Sequence, residues 1–260
     1  MTKKSSESKS EVPVEPISKK HFQSSNKYTK DEKWENTLAL GFLALFILVI
    51  VGLSTHWFGL SKGNTTLEEQ FPPSQIILRS EASIGSKKAP IIIVELSDFE
   101  CPYCGLFENQ VFPLIKKDYI DTGEVLWFFM NLPLKQIHPH SYKAAVASEC
   151  AKLQNKFWEY HDILFEHQQN LTVSDLENYA GGLSLDMPLF SQCLKNNETD
   201  FIIQEAYKQA HSAGITATPS FIIGKPGMGY SVTGFKVIGV ETYATFQKLI
   251  EATKHKRQDE

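Results

Sequence analysis

The hydrophobic positions of the chain form an apolar N-terminal run and, further along, a series of strand-like and helical patterns. Residues 38–53 contain no polar side chain. After a short strand candidate at 76–78, the mostly apolar runs 91–96 and 125–130 flank a stretch in which apolar residues recur at helical spacing. Runs of this length are typical of strands buried on both faces. The order strand–helix–strand predicts a parallel pair with a right-handed crossover.

Residues 138–213 form a block with helical periods and almost no strand signal. Apolar positions from Tyr142 to Leu164 step by three, four or seven, which predicts a single helix face. Ser174 and Glu177 match the capping-box pattern at the start of a further helix.

Two more helices complete this block, one capped by Asp186 and one that starts at Thr199 or the next residue. Strand patterns return at 220–223 and 235–240, and a final helix is expected from Thr242. The element order predicts an α/β domain that is interrupted by an all-helical insertion.

The apolar run is long enough for a membrane anchor when it is extended to residues 38–60, because about 20 residues cross a bilayer core. A cleaved signal peptide would need a shorter polar start and an Ala-x-Ala site, and a buried core helix would carry a polar stripe. The lysine-rich residues 1–37 precede the run and only Lys62 follows closely, which predicts a cytoplasmic N-terminus. The domain after the anchor is then periplasmic or otherwise extracytoplasmic.

These patterns divide the chain into consecutive parts that differ in hydrophobicity. They are a disordered cytoplasmic tail (1–37), a transmembrane anchor (38–60), a linker (61–74), an α/β domain in two pieces (75–137 and 214–257) and the helical insertion (138–213).

Composition and charge exclude several classes of protein. Hydrophobic residues make up 42% and charged residues 22% of the 260 positions, which is ordinary for a globular protein. Lys and Arg number 26 against 30 Asp and Glu, whereas a nucleic-acid binder usually has a basic surplus, so no nucleic-acid partner is expected. Four cysteines in a chain of this length do not form a mini-protein disulfide scaffold.

The candidate chemistry lies in Cys101-Pro102-Tyr103-Cys104, between a predicted strand and a predicted helix. Pro102 suits the first helical position, which places Cys101 at the N-cap. Free backbone N–H groups and the positive end of the helix dipole then lower the pKa of Cys101 and favour its reactive thiolate. Cys104, one turn further in, is expected to be the buried thiol that resolves a mixed disulfide.

The Cys-x-x-Cys spacing also occurs in zinc sites and in inert disulfides. A structural zinc site needs two more ligands, and neither Cys150 and Cys193 nor the histidines have finger-like spacing. His138 and His140 fit a solvated helix start better than a metal site. No metal and no organic cofactor are expected, because the cysteines themselves carry the electrons.

The segment 95–108, ELSDFECPYCGLFE, together with Thr218-Pro219 and the Ser-Phe that follows, resembles the DsbA-like branch of the thioredoxin superfamily, and most closely its membrane-anchored bacterial members. The resemblance covers residues 75–257 in element order. It implies a thioredoxin-like α/β fold with an all-helical insertion, preceded by a single transmembrane helix. It also implies that Cys101 and Cys104 are a redox-active pair.

The same resemblance implies roles for the loop before the second group of strands. Thr218-Pro219 matches a dipeptide with a cis peptide bond that faces the cysteine pair, although Pro219 could simply precede a strand with an ordinary trans bond. The backbone of Ala217 and Thr218 would then be free to pair with an extended client segment.

Two glutamates match acids near the active site of the family. Glu95 lies in an apolar strand, where it is either a proton relay with a raised pKa or a strand-end carboxylate that reaches water. Glu108 is expected on the exposed side of its helix, as a solvated residue with modest electrostatic influence.

Other residues have structural or client-binding alternatives. Phe99, Tyr103 and Phe107 flank the pair and offer an apolar surface to clients, with at least one of them expected in the core. Some family members carry a second disulfide in the insertion, which implies a Cys150–Cys193 bond; the alternative is two reduced core cysteines.

The resemblance implies a disulfide oxidoreductase that acts on unfolded or partly folded exported proteins and is reset by a redox partner. A reductase or isomerase of the same fold, or a non-catalytic envelope chaperone, are the alternatives. The middle pair Pro102-Tyr103 and the Thr218 before Pro219 leave the direction of electron flow open.

Overall fold

The computed structural model describes residues 65–256, together with the isolated positions 43, 45–47 and 49. Within residues 65–256 the strands are β1 Pro73–Ile77, β2 Ala82–Ile84, β3 Ile91–Ser97, β4 Val125–Asn131, β5 Ser220–Pro226 and β6 Ser231–Ile238. The α-helices are α1 Leu67–Gln70, α2 Pro102–Gln110, α3 Phe112–Ile115, α4 Ser141–Leu153, α5 Phe157–Glu166, α6 Val173–Gly182, α7 Met187–Asn196, α8 Asp200–Ser212 and α9 Tyr243–His255. A π-helix (Lys116–Ile120) follows α3, and a 3₁₀ turn (Met228–Tyr230) joins β5 to β6.

The six strands form one sheet in the order β1-β6-β5-β3-β4-β2. The strands β3 and β4 are parallel, so the predicted strand–helix–strand unit is confirmed, and the other pairs are antiparallel. Every residue of β3 is buried. Ile91 and Ile93 pack with α2 and α9 on one face of the sheet, whereas Ile92 and Val94 pack with α8 on the other. Side chains alternate along a strand, so Glu95 shares the face beneath α2.

Several predicted elements differ from those observed. The strand β1 begins at Pro73, earlier than the candidate at 76–78, and β6 begins at Ser231, earlier than 235. The short edge strand β2 was not predicted. Edge strands need only one partner and one buried face, so their apolar pattern is weak.

The helix face predicted from Tyr142 to Leu164 is divided between α4 and α5. Asn155 breaks the helix with a left-handed φ of 60°, a conformation that asparagine tolerates. The prediction of a single helix was wrong because the apolar stripe continues across the break.

The capping box predicted at Ser174 is also wrong. It is formed two residues earlier by Thr172, whose hydroxyl accepts from the N–H of Asp175 while that carboxylate accepts from the N–H of Thr172. Asp175, at the third helical position, accepts the N-cap hydrogen bond that the prediction assigned to Glu177. The predicted N-cap at Asp186 is confirmed. Thr242, the predicted start of the final helix, is the N-cap of that helix.

Part of the predicted linker 61–74 belongs to the folded domain. Leu67–Gln70 form α1, Phe71 is buried against the core, and β1 starts at Pro73. Among the described residues, no helix combines the length and the apolar character that a bilayer crossing requires. The predicted tail, 1–37, lies outside the described residues, and so does the predicted anchor, 38–60, apart from the five isolated positions.

The helices α4 to α8 share a core of their own, which extends to Phe99, Cys104 and Phe129 at the end of the sheet. The insertion is therefore not a separate lobe. Its α5 lies against the flank of α2, and this contact places side chains of the insertion beside the cysteine pair.

Candidate redox site

Cys101 is the N-cap of α2, and Pro102 lies in the first turn. The Cys101 side chain is 4% exposed and makes no cap hydrogen bond, and its sulfur lies 3.5 Å from the carbonyl oxygen of Thr218. Interaction with the Cys104 thiol is the largest cause that lowers the pKa of Cys101 to about 5, against the opposing effect of burial. The backbone N–H groups of Cys104 and Tyr103 act in the same direction. At neutral pH this sulfur is a thiolate, which is the nucleophilic form.

Cys104 lies one turn into α2 and is fully buried. Burial raises the pKa of its thiol well above the ordinary value, and the charge on Cys101 adds to that rise. The two sulfurs therefore differ in charge at neutral pH, one a thiolate and the other a protonated thiol. This arrangement suits Cys101 to attack and Cys104 to resolve.

The loop before β5 faces the cysteine pair. The Thr218–Pro219 peptide bond is cis, both residues are buried, and the carbonyl of Thr218 points to Cys101. Ala217 is half-buried beside them. The structure thus brings Thr218 next to Cys101, with Ala217 and Pro219 as its neighbours in the chain.

The aromatic residues around the pair divide between core and surface. Phe99 and Phe107 are fully buried and belong to the packed interior. Tyr103, in contrast, is 66% exposed directly beside the reactive sulfur, and Leu106 on the next turn is 39% exposed. The exposed apolar side chains at this site are therefore those of Tyr103 and Leu106 on α2.

Glu95 is fully buried in β3 and does not reach water. The indole N–H of Trp127 donates to its Oε2 at 3.3 Å, and burial raises the pKa of this carboxyl to about 7. Of the two interpretations of Glu95, the geometry matches a buried group that can gain and lose a proton near neutral pH.

The expectation that Glu108 is solvated was wrong. Its side chain is 9% exposed, and burial raises the pKa of its carboxyl well above the usual range, with a further contribution from the charge on Glu95. The surface of α2 that carries Glu108 would be open in an isolated strand–helix–strand unit. The helix α5 of the insertion covers it.

Replacement of Glu95 by glutamine is expected to change the pH dependence of stability. Because the folded-state pKa of Glu95 is raised from 4.5 to about 7, the stability that it contributes is complete below 4.5 and is lost as pH rises through about 7. Glu95→Gln removes this loss, so the free energy of unfolding of the variant above pH 7 should exceed that of the wild type by about 3 kcal/mol. Urea unfolding across this pH range measures the difference.

The matched control is Glu166→Gln, which removes an exposed carboxylate at the end of α5. It should follow the wild-type pH profile. A Glu95→Gln variant whose pH profile equals that of the wild type would show that the pKa of Glu95 is the same in the folded and the unfolded protein, which would contradict the raised pKa.

Gln168, which follows α5, was not identified from the sequence. Its side-chain amide donates to the carbonyls of Phe99 and Cys101, at 2.7 and 3.0 Å. Its Oε1 lies so close to Gly105 that a Cβ there would be 2.0 Å away. Gly105 therefore allows Gln168 to hold the backbone around the reactive cysteine, and no local sequence pattern marks this contact.

The contact predicts that Gly105→Ala has opposite effects in two backgrounds. In the wild type the new methyl group should displace the Gln168 amide and lower the free energy of unfolding by about 1 kcal/mol, since two hydrogen bonds are lost. In a Gln168→Ala background the same change should raise it by up to about 1 kcal/mol, because alanine is the better helix former. Urea unfolding of the four proteins of this cycle gives the coupling. Gln169→Ala, at an exposed neighbour, is the control background, and equal effects of Gly105→Ala in all backgrounds would refute the contact.

His138 is not a solvated helix start. Its Nδ1 lies 2.8 Å from Oδ2 of Asp98, a buried carboxylate that also accepts from the N–H of Leu134. This contact connects the beginning of the insertion, at His138, to the loop before Cys101, at Asp98. Within the part of the chain that the structure describes, no three Cys, His, Asp or Glu side chains are placed to share a metal ion.

Cys150 of α4 and Cys193 of α7 form a disulfide with a Cα–Cα distance of 5.9 Å, whereas Cys101 and Cys104 are free thiols. The disulfide is buried within the insertion. It does not contact solvent and does not take part in the geometry at Cys101.

A Cys-x-x-Cys pair at the helix start of a β3–α2–β4 unit, opposite a cis-proline loop, defines the class of thioredoxin-fold redox proteins. The family model described as Thioredoxin matches residues 79–252, and the chain belongs to this family.

The chain is also similar to several known proteins. The solved structure of alpha-DsbA1 from Wolbachia pipientis is 28% identical with a TM-score of 0.59, over 68% of this chain and 92% of that one. Disulfide bond formation protein D of Bacillus subtilis is 36% identical over 94 residues, 35% of this chain and 41% of the relative. The Na(+)/H(+) antiporter NhaA 3 of Salinispora tropica is 37% identical over 139 residues, 54% of this chain but 21% of the relative. The chain thus spans about a fifth to two fifths of these curated relatives.

Proposed function

We propose that the protein is a thiol–disulfide oxidoreductase that introduces disulfides into exported proteins. The observation that carries the proposal is the difference between its two free cysteines. Cys101, at the start of α2, has a pKa lowered to about 5 by the Cys104 thiol and neighbouring N–H groups, whereas burial raises the pKa of Cys104. The similarity to alpha-DsbA1 and to disulfide bond formation protein D supports the same chemistry.

The reaction follows from this difference. In the oxidised protein, a client thiolate attacks Cys101, a client–Cys101 disulfide forms, and the Cys101–Cys104 bond breaks. The sulfur of Cys104 leaves and takes up a proton. The second client thiolate then attacks the client sulfur, so that the client disulfide forms and Cys101 departs as a stable thiolate. Two electrons pass from the client to the cysteine pair, and a redox partner removes them to restore the disulfide.

The lowered pKa of Cys101 supports the oxidising direction. A thiolate exists in the reduced protein only, so any interaction that stabilises it favours the reduced state over the disulfide. Each pKa unit below the working pH corresponds to about 1.4 kcal/mol, or about 30 mV for a two-electron couple. A pKa of about 5 therefore raises the reduction potential by tens of millivolts at neutral pH.

The client surface follows from the exposed groups around the sulfur. Tyr103 and Leu106 offer an apolar patch, and the backbone at Ala217 and Thr218 lies opposite. An unfolded chain with exposed apolar side chains fits this surface better than a folded protein does.

For the cellular location we propose an inner-membrane protein that is anchored by residues 38–60. The basis is the sequence: an apolar run of spanning length, with a lysine-rich segment before it. In whole cells, a membrane-impermeant alkylating reagent should then label Cys101 of the reduced protein. Labelling only after the cells are lysed would place the domain in the cytoplasm and overturn the proposed orientation.

The reduction potential tests the proposed direction. The full chain in detergent is equilibrated in glutathione redox buffers, and the state of Cys101 and Cys104 is followed by alkylation and mass spectrometry. A potential well above that of glutathione is expected for a disulfide donor. A potential near or below that of glutathione would indicate a reductase or isomerase. This alternative is open because the sequence at Pro102-Tyr103 and Thr218 does not define the direction of electron flow. Absence of any exchange would leave a chaperone module as the function.

A further inference from the structure

A line of buried polar atoms leads from Cys104 towards the insertion. Four of them have no hydrogen-bond partner within the described part of the chain: Oε1 of Glu95, Oγ of Ser97, Oε1 of Glu108 and Nε2 of His161. A buried polar group without a partner costs on the order of 1–3 kcal/mol, so four neighbouring ones call for a functional explanation.

The first part of the line connects the cysteine pair to two glutamates. Burial raises the pKa of both Glu95 and Cys104, and the hydroxyl of Ser97, which faces both groups, opposes each rise. Glu108 lies one turn after Cys104 on α2, and it is close enough to Glu95 for their charges to interact. Protons can therefore be shared among groups that lie directly beneath Cys104.

The second part of the line reaches the surface through α5. Nε2 of His161 lies 3.9 Å from Oε1 of Glu108, and Nδ1 lies 2.8 Å from Oδ1 of Asp162. His161 is 1% exposed, whereas the side chain of Asp162 is 74% exposed. His161 is thus the group between a buried carboxyl and a solvated carboxylate.

The surroundings of His161 keep its ring neutral and fixed. Aromatic rings pack around it from several elements: Phe99, Phe112, Phe129, Phe157, Trp158 and Phe165. The titratable groups that face it are Glu108 on α2 and Asp162 on its own helix. Burial lowers the pKa of His161, although Asp162 acts in the opposite direction. With N–H at Nδ1 directed to Asp162, Nε2 is free to accept a proton from Glu108.

We propose that His161 and Asp162 form the outer half of a proton path that links Cys104, through Glu95 and Glu108, to solvent. The inference rests on the proposed function, because only a sulfur that alternates between disulfide and thiol needs such a path. Its role is to move a proton to or from a sulfur that water does not reach.

The step can be written for the resolution of a glutathione mixed disulfide at Cys101. The S–H bond of Cys104 breaks, and its proton passes to the carboxylate of Glu95. The Cys104–Cys101 bond forms, the bond from Cys101 to glutathione breaks, and glutathione leaves as a thiolate. Glu95 then passes its proton to Glu108, and Glu108 passes a proton to Nε2 of His161. His161 releases its Nδ1 proton to Asp162, which exchanges it with solvent. Glu95 is then a carboxylate again and can accept the next proton. No external oxidant enters this step beyond the glutathione disulfide already bound.

A quenched-flow experiment measures the resolution by Cys104 separately from the attack by Cys101. Reduced full-length protein is mixed with oxidised glutathione, quenched in acid at increasing times and analysed by mass spectrometry. The appearance of the mixed disulfide reports the attack, and its decay reports resolution by Cys104. His161→Phe preserves the aromatic packing and should slow resolution about tenfold, while the attack rate stays at the wild-type value.

Asp162→Asn keeps an exposed hydrogen-bonding group without disturbing the core, and a smaller reduction of the same step is expected. Glu159→Gln, at another exposed position of α5, is the matched control and should resolve at the wild-type rate. The equilibrium constant with glutathione should be equal in all four proteins, because a proton path changes rates only. A merely structural role of His161 would instead alter the attack rate or the equilibrium.

The outcomes distinguish the two proposals. A wild-type protein that forms no mixed disulfide would overturn the proposed function. A normal wild type with unchanged resolution in His161→Phe would overturn the proton path alone. Slowed resolution in His161→Phe with a wild-type rate in Asp162→Asn would remove Asp162 from the path.

Discussion

Replacement of Cys101 by serine is expected to abolish thiol–disulfide exchange with glutathione and with client thiols. The helix start and Cys104 stabilise a thiolate at this position, with a pKa of about 5. A serine hydroxyl stays protonated under the same conditions and cannot form a disulfide, so neither the attack nor the mixed disulfide is possible. Alkylation and mass spectrometry of the protein after incubation with oxidised glutathione measure the loss.

The companion variant Cys104→Ser shows whether the roles are assigned to the correct sulfurs. It keeps the nucleophile but removes the thiol that resolves, so the mixed disulfide at Cys101 should accumulate and persist. Since the Cys104 thiol is the largest cause of the lowered pKa of Cys101, this variant should also react more slowly at neutral pH. A persistent mixed disulfide at Cys104 in the Cys101→Ser protein would contradict the assignment.

Removal of the second disulfide should have the largest effect on stability. Cys150 and Cys193 are separated by 43 positions, and in the chain-entropy model a cross-link of this length contributes about 4 kcal/mol. The double variant Cys150→Ala with Cys193→Ala is therefore expected to lower the free energy of unfolding by about this amount in urea titrations.

Exchange at Cys101 should survive in that variant at a temperature where it remains folded, because the disulfide lies within the insertion and away from the redox pair. Reduced wild-type protein with both disulfides opened is a second reference for the same loss. A decrease smaller than about 1 kcal/mol would mean that the helices α4 and α7 are held together without the covalent bond.

The elements around Cys101 could be predicted because their signals are local. The apolar runs of β3 and β4 and the proline after Cys101 specify a strand, a helix start and a crossover within one stretch of chain. The same stretch contains residues 95–108, which carry most of the family resemblance. Thus the parallel pair and the position of Cys101 at the helix start follow from neighbours in sequence.

The insertion explains most of what could not be predicted. The burial of Glu108 depends on α5. The hydrogen bond to the carbonyl of Cys101 comes from Gln168, more than sixty positions away. Helical periodicity shows that an insertion exists but not which of its faces meets α2. His138, expected in solvent, is similarly paired with Asp98 because the insertion begins directly over the loop before Cys101.

Two local signals predict a helix boundary that differs from the observed one. The apolar stripe from Tyr142 continues across the break at Asn155, since the residues on both sides pack into the same core. Ser174 and Glu177 match the capping-box pattern, whereas the observed box is formed two residues earlier by Thr172 and Asp175. Both errors concern where a helix begins or ends, which the period of hydrophobic residues defines poorly.

A pH titration of the reduced protein shows whether Cys101 is a thiolate at neutral pH, on which both the proposed attack and the proposed direction depend. The rate of alkylation at Cys101 and the ultraviolet absorbance of the thiolate are recorded together, with Cys101→Ser as the blank. We expect one transition of Cys101 with an apparent pKa near 5. A single transition near 9.0, the ordinary value for a thiol, would contradict a Cys101 thiolate at neutral pH, because neither the helix start nor Cys104 would then activate this sulfur.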